Sequence, residues 1–589
     1  MYTASAALIE ALSEAGVSFI FANLGSDHSG IIESLAEARA TGRPAPRLIT
    51  SPNEMVALSA AHGFAQVTGR PQVVLVHVEC GTQALAGALH NAAKGRVPVL
   101  IFAGASPFTQ DGEMRGGRNE FIQWIQDVFD QRGLARGYVK YDNEIRTGRN
   151  IKQMIFRALQ FARSDPKGPV YLMAAREVLE EEIPPIAARP EDWPPIAPSA
   201  LPSSDVETII AGLLNARFPL VVTSYIGRNP VAVTELIRLC ERLAVGALES
   251  VPGYVNYPAD SDLYQGNQWN EPEQNRALDE ADFVLVIDSD VPWIPAINKP
   301  RASAVIYQID VDPLKEQMPL WGIPARRVFR ADAATALRQI NERLDAEMVD
   351  GEAVKARLAH YARLSQARRE KLLLAERLNG DIITPEYLTA CVRQHIDEDT
   401  ILLNEGVTNF GTIIDHLSGI CQRGQWDQSG QWRGIRAGHM FTSGGGSLGW
   451  NGGAAIGVKL AYPDKTVVCL TGDGSYMFSV PSAVHWIARR YQTPFLQIIY
   501  NNRGWKAPKL SMLAIHPDGY ASRAAGRNED IGVSFDPPPD YSGIAAAAGD
   551  AFARIVRRPE ELNSALDEAL NAARHQRRCA VVDVWIAHL

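Results

Sequence analysis

Short β-branched apolar runs recur along the whole chain, each followed by a stretch of helical periodicity. Strands of that kind are buried on both faces, and parallel neighbours can be joined only by long crossovers. The pattern therefore leads to α/β layers, a parallel sheet with helices on either side. The runs fall at 18–21, 73–78, 99–103 and 170–172 in a first unit, at 219–223, 283–287 and 304–309 in a second, and at 400–403, 466–471, 495–500 and 580–586 in a third. A chain of 589 residues is well past the ~250–300 at which one core stops growing, which agrees with three units. A proline-dense stretch without periodicity, 186–203, separates a first unit at 1–185 from a second at 204–345. A charged helix within 346–378 carries the chain to a third unit at 379–589, and no short-period repeat is visible.

Composition narrows the partners. With 58 Lys+Arg against 67 Asp+Glu the net charge is −9, so no nucleic-acid footprint is expected. No apolar run reaches the ~20 residues of a membrane span. The first residues lack the basic and apolar regions of a secretory signal, so the expected location is cytoplasmic. Six cysteines (80, 240, 391, 421, 469 and 579) form no C-x-x-C pair and point to neither a disulfide framework nor a zinc site.

The sharpest local signal is Gly472-Asp473-Gly474-Ser475, directly after the apolar run 466–471. Two glycines allow close approach of the backbone to a ligand, and an aspartate at a strand end is placed for a hard cation. Asn502 follows 29 residues on, at the end of the next apolar run, in Asn501-Asn502-Arg503-Gly504. With a helix over 480–490 between them, the two ends belong to one βαβ unit. Asp473, Asn502 and the Gly504 carbonyl would then share a Mg²⁺ ion.

On these residues the chain resembles the thiamine diphosphate enzymes of the decarboxylase and acetohydroxyacid synthase superfamily. The resemblance implies three doubly wound parallel-sheet domains, pyrimidine-binding, central and diphosphate-binding, and a homodimer or homotetramer with the cofactor between subunits. It also implies a glutamate ahead of a G-[YF]-A-x-x-T-G pattern, and Glu54 precedes Gly63-Phe64-Ala65-Gln66-Val67-Thr68-Gly69 at that offset. By the resemblance Glu54 hydrogen-bonds the cofactor's pyrimidine and favours its imino tautomer. In the glycine-rich stretch 444–457, Leu448 takes the place of the side chain that bends the cofactor, and the Gly446 carbonyl meets its 4′-amino group. Gly406, Val407, Thr408 and Asn409, at another strand end, would bind the diphosphate with Gly472, Gly474 and Ser475.

Locally the chain is most similar to benzoylformate decarboxylases. Asn23-Leu-Gly-Ser26 and His77, in Val76-His77-Val-Glu-Cys-Gly81-Thr82, fall on segments of that family. By this similarity Ser26 orients a substrate carboxylate and His77 moves protons. His28, a further catalytic candidate, and Glu79 and Cys80, candidates to border the substrate, add polar groups of this chain's own, whereas His62 and His485 lie on helices and read as packing residues. Trp505 and Lys506, with Lys509 beyond, are candidates to border the substrate.

The expected reaction is non-oxidative decarboxylation of a 2-oxo acid. Alternatives are an acetolactate synthase-like carboligase, a 2-hydroxyacyl-CoA lyase, and a non-catalytic binding protein of the same fold. Ala105, following Ala103-Gly104, stands where an acetohydroxyacid synthase would carry glutamine. A second nucleotide such as FAD is not expected, because the turn at 224–230 has a single glycine.

Overall fold

The computed structural model describes residues 2–378, 380–418, 435–524 and 528–589. It contains three six-stranded sheets in which every named strand pair is parallel. The first sheet runs, edge to edge, Arg47–Thr50, Phe19–Ala22, Gln72–Val76, Val99–Ala105, Val170–Ala175, Asp142–Ile145. The third runs Met440–Phe441, Thr400–Glu405, Thr466–Gly472, Leu496–Asn501, Ala580–Trp585, Phe552–Val556. Counted in chain order within each sheet, both read 2-1-3-4-6-5, so one topology occurs twice in a sequence without visible repeats.

The middle sheet runs Arg327–Arg330, Val305–Asp310, Phe283–Ile287, Pro219–Thr223, Gly246–Ser250, Tyr264–Gln268, an order of 6-5-4-1-2-3 with its reversal between Phe283–Ile287 and Pro219–Thr223. The charged helix Gly351–Ala375, which the sequence presents as a connector, is docked on this unit. Arg357 caps carbonyls of Leu213, Leu214 and Leu243, and the Tyr361 hydroxyl donates to the Pro219 carbonyl at 2.7 Å.

The first and third units are fused along two helices. Helix Glu54–Thr68 starts where Asn53 accepts from the Val56 N–H (3.1 Å) and stops at Gly69, φ +70°. It crosses helix Trp450–Ala461 most closely at small residues. A Cβ on Gly457 would lie 1.9 Å from the Ala60 carbonyl, and one on Gly63 would lie 2.4 Å from the Ala454 carbonyl. One core accordingly spans both units, with Val56, Ala57, Ala60 and Ala61 against Trp450, Ala454 and Ala455. Helix Glu54–Thr68 therefore begins beside the glycine-rich segment that precedes Trp450.

Candidate active site

Two clusters sit at carboxyl ends of strands, where open parallel sheets bind their ligands. The first belongs to the N-terminal sheet. Glu54, half-buried, accepts a hydrogen bond from Asn23 Nδ2 at 2.9 Å. Nearby, the turn Ser26–His28 and the residue following strand Gln72–Val76 bring Asp27 against His77, with Nδ1 donating to Asp27 Oδ1 at 2.6 Å. The Asp27 carboxylate is buried, and its other oxygen accepts from the Val78 N–H at 3.2 Å. Burial works to raise that carboxyl, but the hydrogen bond from His77 and the adjacent imidazoles outweigh it and hold Asp27 below its usual range. The same bond raises His77 above an ordinary imidazole against a partial desolvation.

The far side of His77 is held as well. Its Nε2 donates to Gln126 Oε1 at 3.2 Å, while Gln126 Nε2 reaches Cys80 Sγ at 3.8 Å. Both ring nitrogens face acceptors, the arrangement of an imidazolium. Cys80, exposed, donates its thiol hydrogen to Glu79 Oε1 at 3.2 Å, and that bond pushes the thiol's pKa up. Glu79 itself is buried, with Oε2 lacking a hydrogen-bond partner. His28 is fully buried and held toward the neutral form by desolvation. Its Nδ1 accepts from the Gly25 N–H at 3.0 Å, so the neutral ring carries its proton on Nε2, which lies 3.3 Å from Asp27 Oδ2 without hydrogen-bond alignment. Ser26 opens the turn, and its carbonyl accepts from Arg176.

Two glycines and one strained residue make this cluster possible. A Cβ on Gly104 would lie 1.7 Å from Asp27 Oδ2, and one on Gly25 would lie 2.0 Å from His77 Nδ1. Val78, which donates to Asp27, has φ +31°, a conformation costly for a β-branched residue. Asp27, Gln126 and Gly104 are absent from the sequence-based candidates. Asp27 carried a signal, lying between Ser26 and His28; Gln126, 49 residues from His77, carried none.

The second cluster belongs to the C-terminal sheet. Strands Thr466–Gly472 and Leu496–Asn501 are neighbours in register, so Asp473 and Asn502 emerge side by side. Asp473 Oδ2 and Asn502 Oδ1 both accept from the Gly504 N–H, at 3.0 and 3.2 Å. Burial pushes the Asp473 carboxyl up to about 6, although hydrogen bonds from backbone N–H groups pull the other way. Ser475 Oγ is buried without a partner. An under-compensated buried carboxylate beside an amide oxygen, with an orphaned hydroxyl next to it, fits a hard cation carrying phosphate oxygens. The loop after strand Thr400–Glu405 adjoins this cluster and holds Val407 at φ +51°, its carbonyl accepting from Trp269 Nε1 at 3.1 Å.

Glu405, the last residue of that strand, has a role the spacing does not reveal. Its buried carboxylate accepts from the N–H groups of Gly449 (2.5 Å), Trp450 (3.2 Å) and Asn451 (2.8 Å), capping helix Trp450–Ala461, and desolvation pushes it up to about 7. Leu448 and Gly446 lie just ahead of that cap. The Trp505 ring packs over Gly474 and edge-on to Phe535, centroids 4.8 Å apart. Lys506 begins the next helix, and Lys509 is tied to Asn528 at 2.7 Å. His62, against Trp450, and His485, stacked on Phe495, are buried packing residues that desolvation pushes down to about 3 and about 4. Cys421 lies outside the described residues.

Among the described residues no helix is long and apolar enough to cross a membrane. Residues 2–134 match the thiamine pyrophosphate enzyme N-terminal TPP binding domain, and residues 426–584 match the C-terminal TPP binding domain. The chain is 25% identical to a benzoylformate decarboxylase of Pseudomonas aeruginosa, covering 98% of each. It is 24% identical to the acetolactate synthase large subunit of Haemophilus influenzae, over 96% of this chain and 91% of that protein. Among solved structures, a thiamine diphosphate-dependent 4-hydroxybenzoylformate decarboxylase of Rhodococcus jostii superposes with a TM-score of 0.76 at 20% identity, over the whole of both chains. With a cofactor-binding domain on each side of a central one and relatives of both kinds along its length, the chain belongs to the thiamine diphosphate-dependent enzymes of the decarboxylase and acetolactate synthase family.

Proposed function

We propose that this enzyme uses thiamine diphosphate and Mg²⁺ to remove CO₂ from a 2-oxo acid. The observation that carries the reading is the Asp27–His77 pair, an acid held ready at the strand end neighbouring Glu54. When bound, thiamine diphosphate supplies an electron sink beside the substrate carbonyl. Glu54, oriented by Asn23, would hold the pyrimidine by a hydrogen bond. Asp473, Asn502 and the Gly504 carbonyl would hold Mg²⁺, with Ser475 and residues 406–409 meeting the diphosphate. Gly446 and Leu448 would meet the aminopyrimidine and the bend of the cofactor.

Ser26 would receive the substrate carboxylate, and His77 would deliver a proton to the carbon that loses CO₂. Buried His28 stays neutral and packs behind Asp27. Cys80, Glu79, Trp505 and Lys506 would border the remainder of the substrate. Arg96, Arg228 and Lys315 are paired with Asp288, Asp290 and Asp310 at the carboxyl edge of the middle sheet.

A homodimer or homotetramer fits the exposed side chains of Phe121, Ile125 and Phe129, on the segment that also supplies Gln126 to His77. Similarity to acetolactate synthases favours carboligation as the second reading. A panel of 2-oxo acids and 2-hydroxyacyl-CoA esters with thiamine diphosphate and Mg²⁺, followed by CO₂, aldehyde and coupled products, tests both. CO₂ with free aldehyde supports the proposal; coupled product alone replaces it with the second reading; no turnover of any compound rejects both.

A further inference from the structure

Loop 443–448, ahead of helix Trp450–Ala461, is held from the N-terminal unit by helix Ala86–Lys94. The contact is main chain against main chain and depends on glycine on both sides. A Cβ on Gly444 would lie 2.4 Å from Gly95 Cα, one on Gly95 2.7 Å from the Ser443 carbonyl, and one on Gly87 2.3 Å from Ser447 Oγ. The density of glycine in this loop thus has a packing cause besides any approach to a ligand. Across the contact, the Asn91 side chain pairs with Ser447 as a strand would. Its Oδ1 accepts from the Ser447 N–H at 3.0 Å, and its Nδ2 donates to the Ser447 carbonyl at 2.9 Å. His90 Nε2 accepts from the Gly446 N–H at 3.1 Å. Asn91 is buried, so the amide is committed to this pairing.

The helix is fixed at its far end too. Arg96, with φ +55°, places its guanidinium in the middle unit, 2.7 Å from Asp290 and 3.1 Å from Asp310, over the face of Tyr225. Lys315 joins the same two carboxylates. An anchor in one unit and an amide clamp on another leave loop 443–448 little freedom of its own.

We propose that Asn91 and His90 are positioning residues that set the backbone of Gly446–Leu448 for cofactor binding, with Arg96 as the anchor of the clamp. This rests on the reading that Gly446 and Leu448 meet thiamine diphosphate. His90 Nε2 must be unprotonated to accept from Gly446, and burial, followed by the nearby Lys94 charge, holds the ring toward that form; the ring of Tyr138 lies edge-on to it.

The test uses the full-length protein with Asn91→Ala, His90→Phe and His90→Gln. Hydrogen exchange of the 440–450 segment is read without cofactor, and the thiamine diphosphate dissociation constant is read with Mg²⁺ by fluorescence quenching. Asn91→Ala and His90→Phe should speed exchange at Ser447 and Gly446 and weaken cofactor binding about tenfold, the effect of one or two lost hydrogen bonds. His90→Gln, which keeps an acceptor, should restore both readouts. Faster exchange with unchanged cofactor affinity makes the contact packing only and overturns the proposal, as does exchange that does not change. Should Asn91→Ala fail to fold, the two His90 variants decide. If the unmodified protein binds no thiamine diphosphate, the functional reading fails by itself, and the clamp is judged on exchange alone.

Discussion

Replacing Asp27 by Asn keeps the shape of the site and removes its charge. The amide Oδ1 can still accept from His77 Nδ1 where the carboxylate does so at 2.6 Å, but the acceptor no longer carries the charge opposite to the imidazolium. Hydrogen bonds to charged groups contribute ~1.5–3 kcal/mol and neutral ones ~0.5–1.5, so the imidazolium loses roughly 1–1.5 kcal/mol. At ~1.4 kcal/mol per decade, the ratio of protonated to neutral His77 falls about tenfold at any pH. The sign follows from the direction of the shift. His77 is raised in the folded protein, so its stabilising bond is fully present below the ordinary imidazole range and is lost as pH rises through the folded value. The asparagine variant should lose that extra stability and show its activity limb displaced to lower pH. The assay is NMR titration of the His77 ring in cofactor-free protein, alongside the pH profile of kcat. An unchanged titration with full activity at alkaline pH would refute the idea that Asp27 keeps His77 protonated.

Four further outcomes follow from the geometry. Gly104→Ala, whose Cβ would lie 1.7 Å from Asp27 Oδ2, should displace the carboxylate and lower kcat at least tenfold with a folded circular-dichroism spectrum retained. Glu405→Gln offers one acceptor where three N–H groups need two, and should cost ~1–3 kcal/mol in chemical denaturation. Because burial raises Glu405 from 4.5 to about 7, the native carboxyl contributes stability at low pH that is lost as pH rises through about 7, and the variant should lack that slope. Asp473→Ala should abolish the rise in melting temperature produced by thiamine diphosphate with Mg²⁺ while leaving the protein folded without them. Phe121→Asp with Phe129→Asp should shift the chain toward monomer in light scattering and lower specific activity at dilute protein.

The sequence announced interior strands and hid the borders. The runs at 219–223 and 283–287 stand as read, because strands buried on both faces are near-continuous apolar runs. Strands Asp142–Ile145, Arg327–Arg330 and Phe552–Val556 escaped because they are sheet edges with polar or exposed residues. Gly246–Ser250 and Tyr264–Gln268 escaped because their buried residues include Glu249, Asn267 and Gln268, held by side-chain hydrogen bonds that apolar periodicity cannot register.

The site divides along a similar line. Asp473 and Asn502 were legible because one crossover fixes their strand ends as neighbours. Glu54 and His77 were legible by resemblance. Asp27, Gln126, Glu405 and Asn91 act through tertiary contacts across 50, 49, 44 and 356 residues, distances at which local spacing says nothing.

The most direct test of the whole account is a crystal structure of the protein soaked with thiamine diphosphate and Mg²⁺. The account predicts the metal at about 2.0–2.1 Å from oxygens of Asp473, Asn502 and Gly504, and the Glu54 carboxylate of one subunit within hydrogen-bond distance of the pyrimidine. A diphosphate bound away from Asp473, or a pyrimidine that no Glu54 in the assembly reaches, would contradict it.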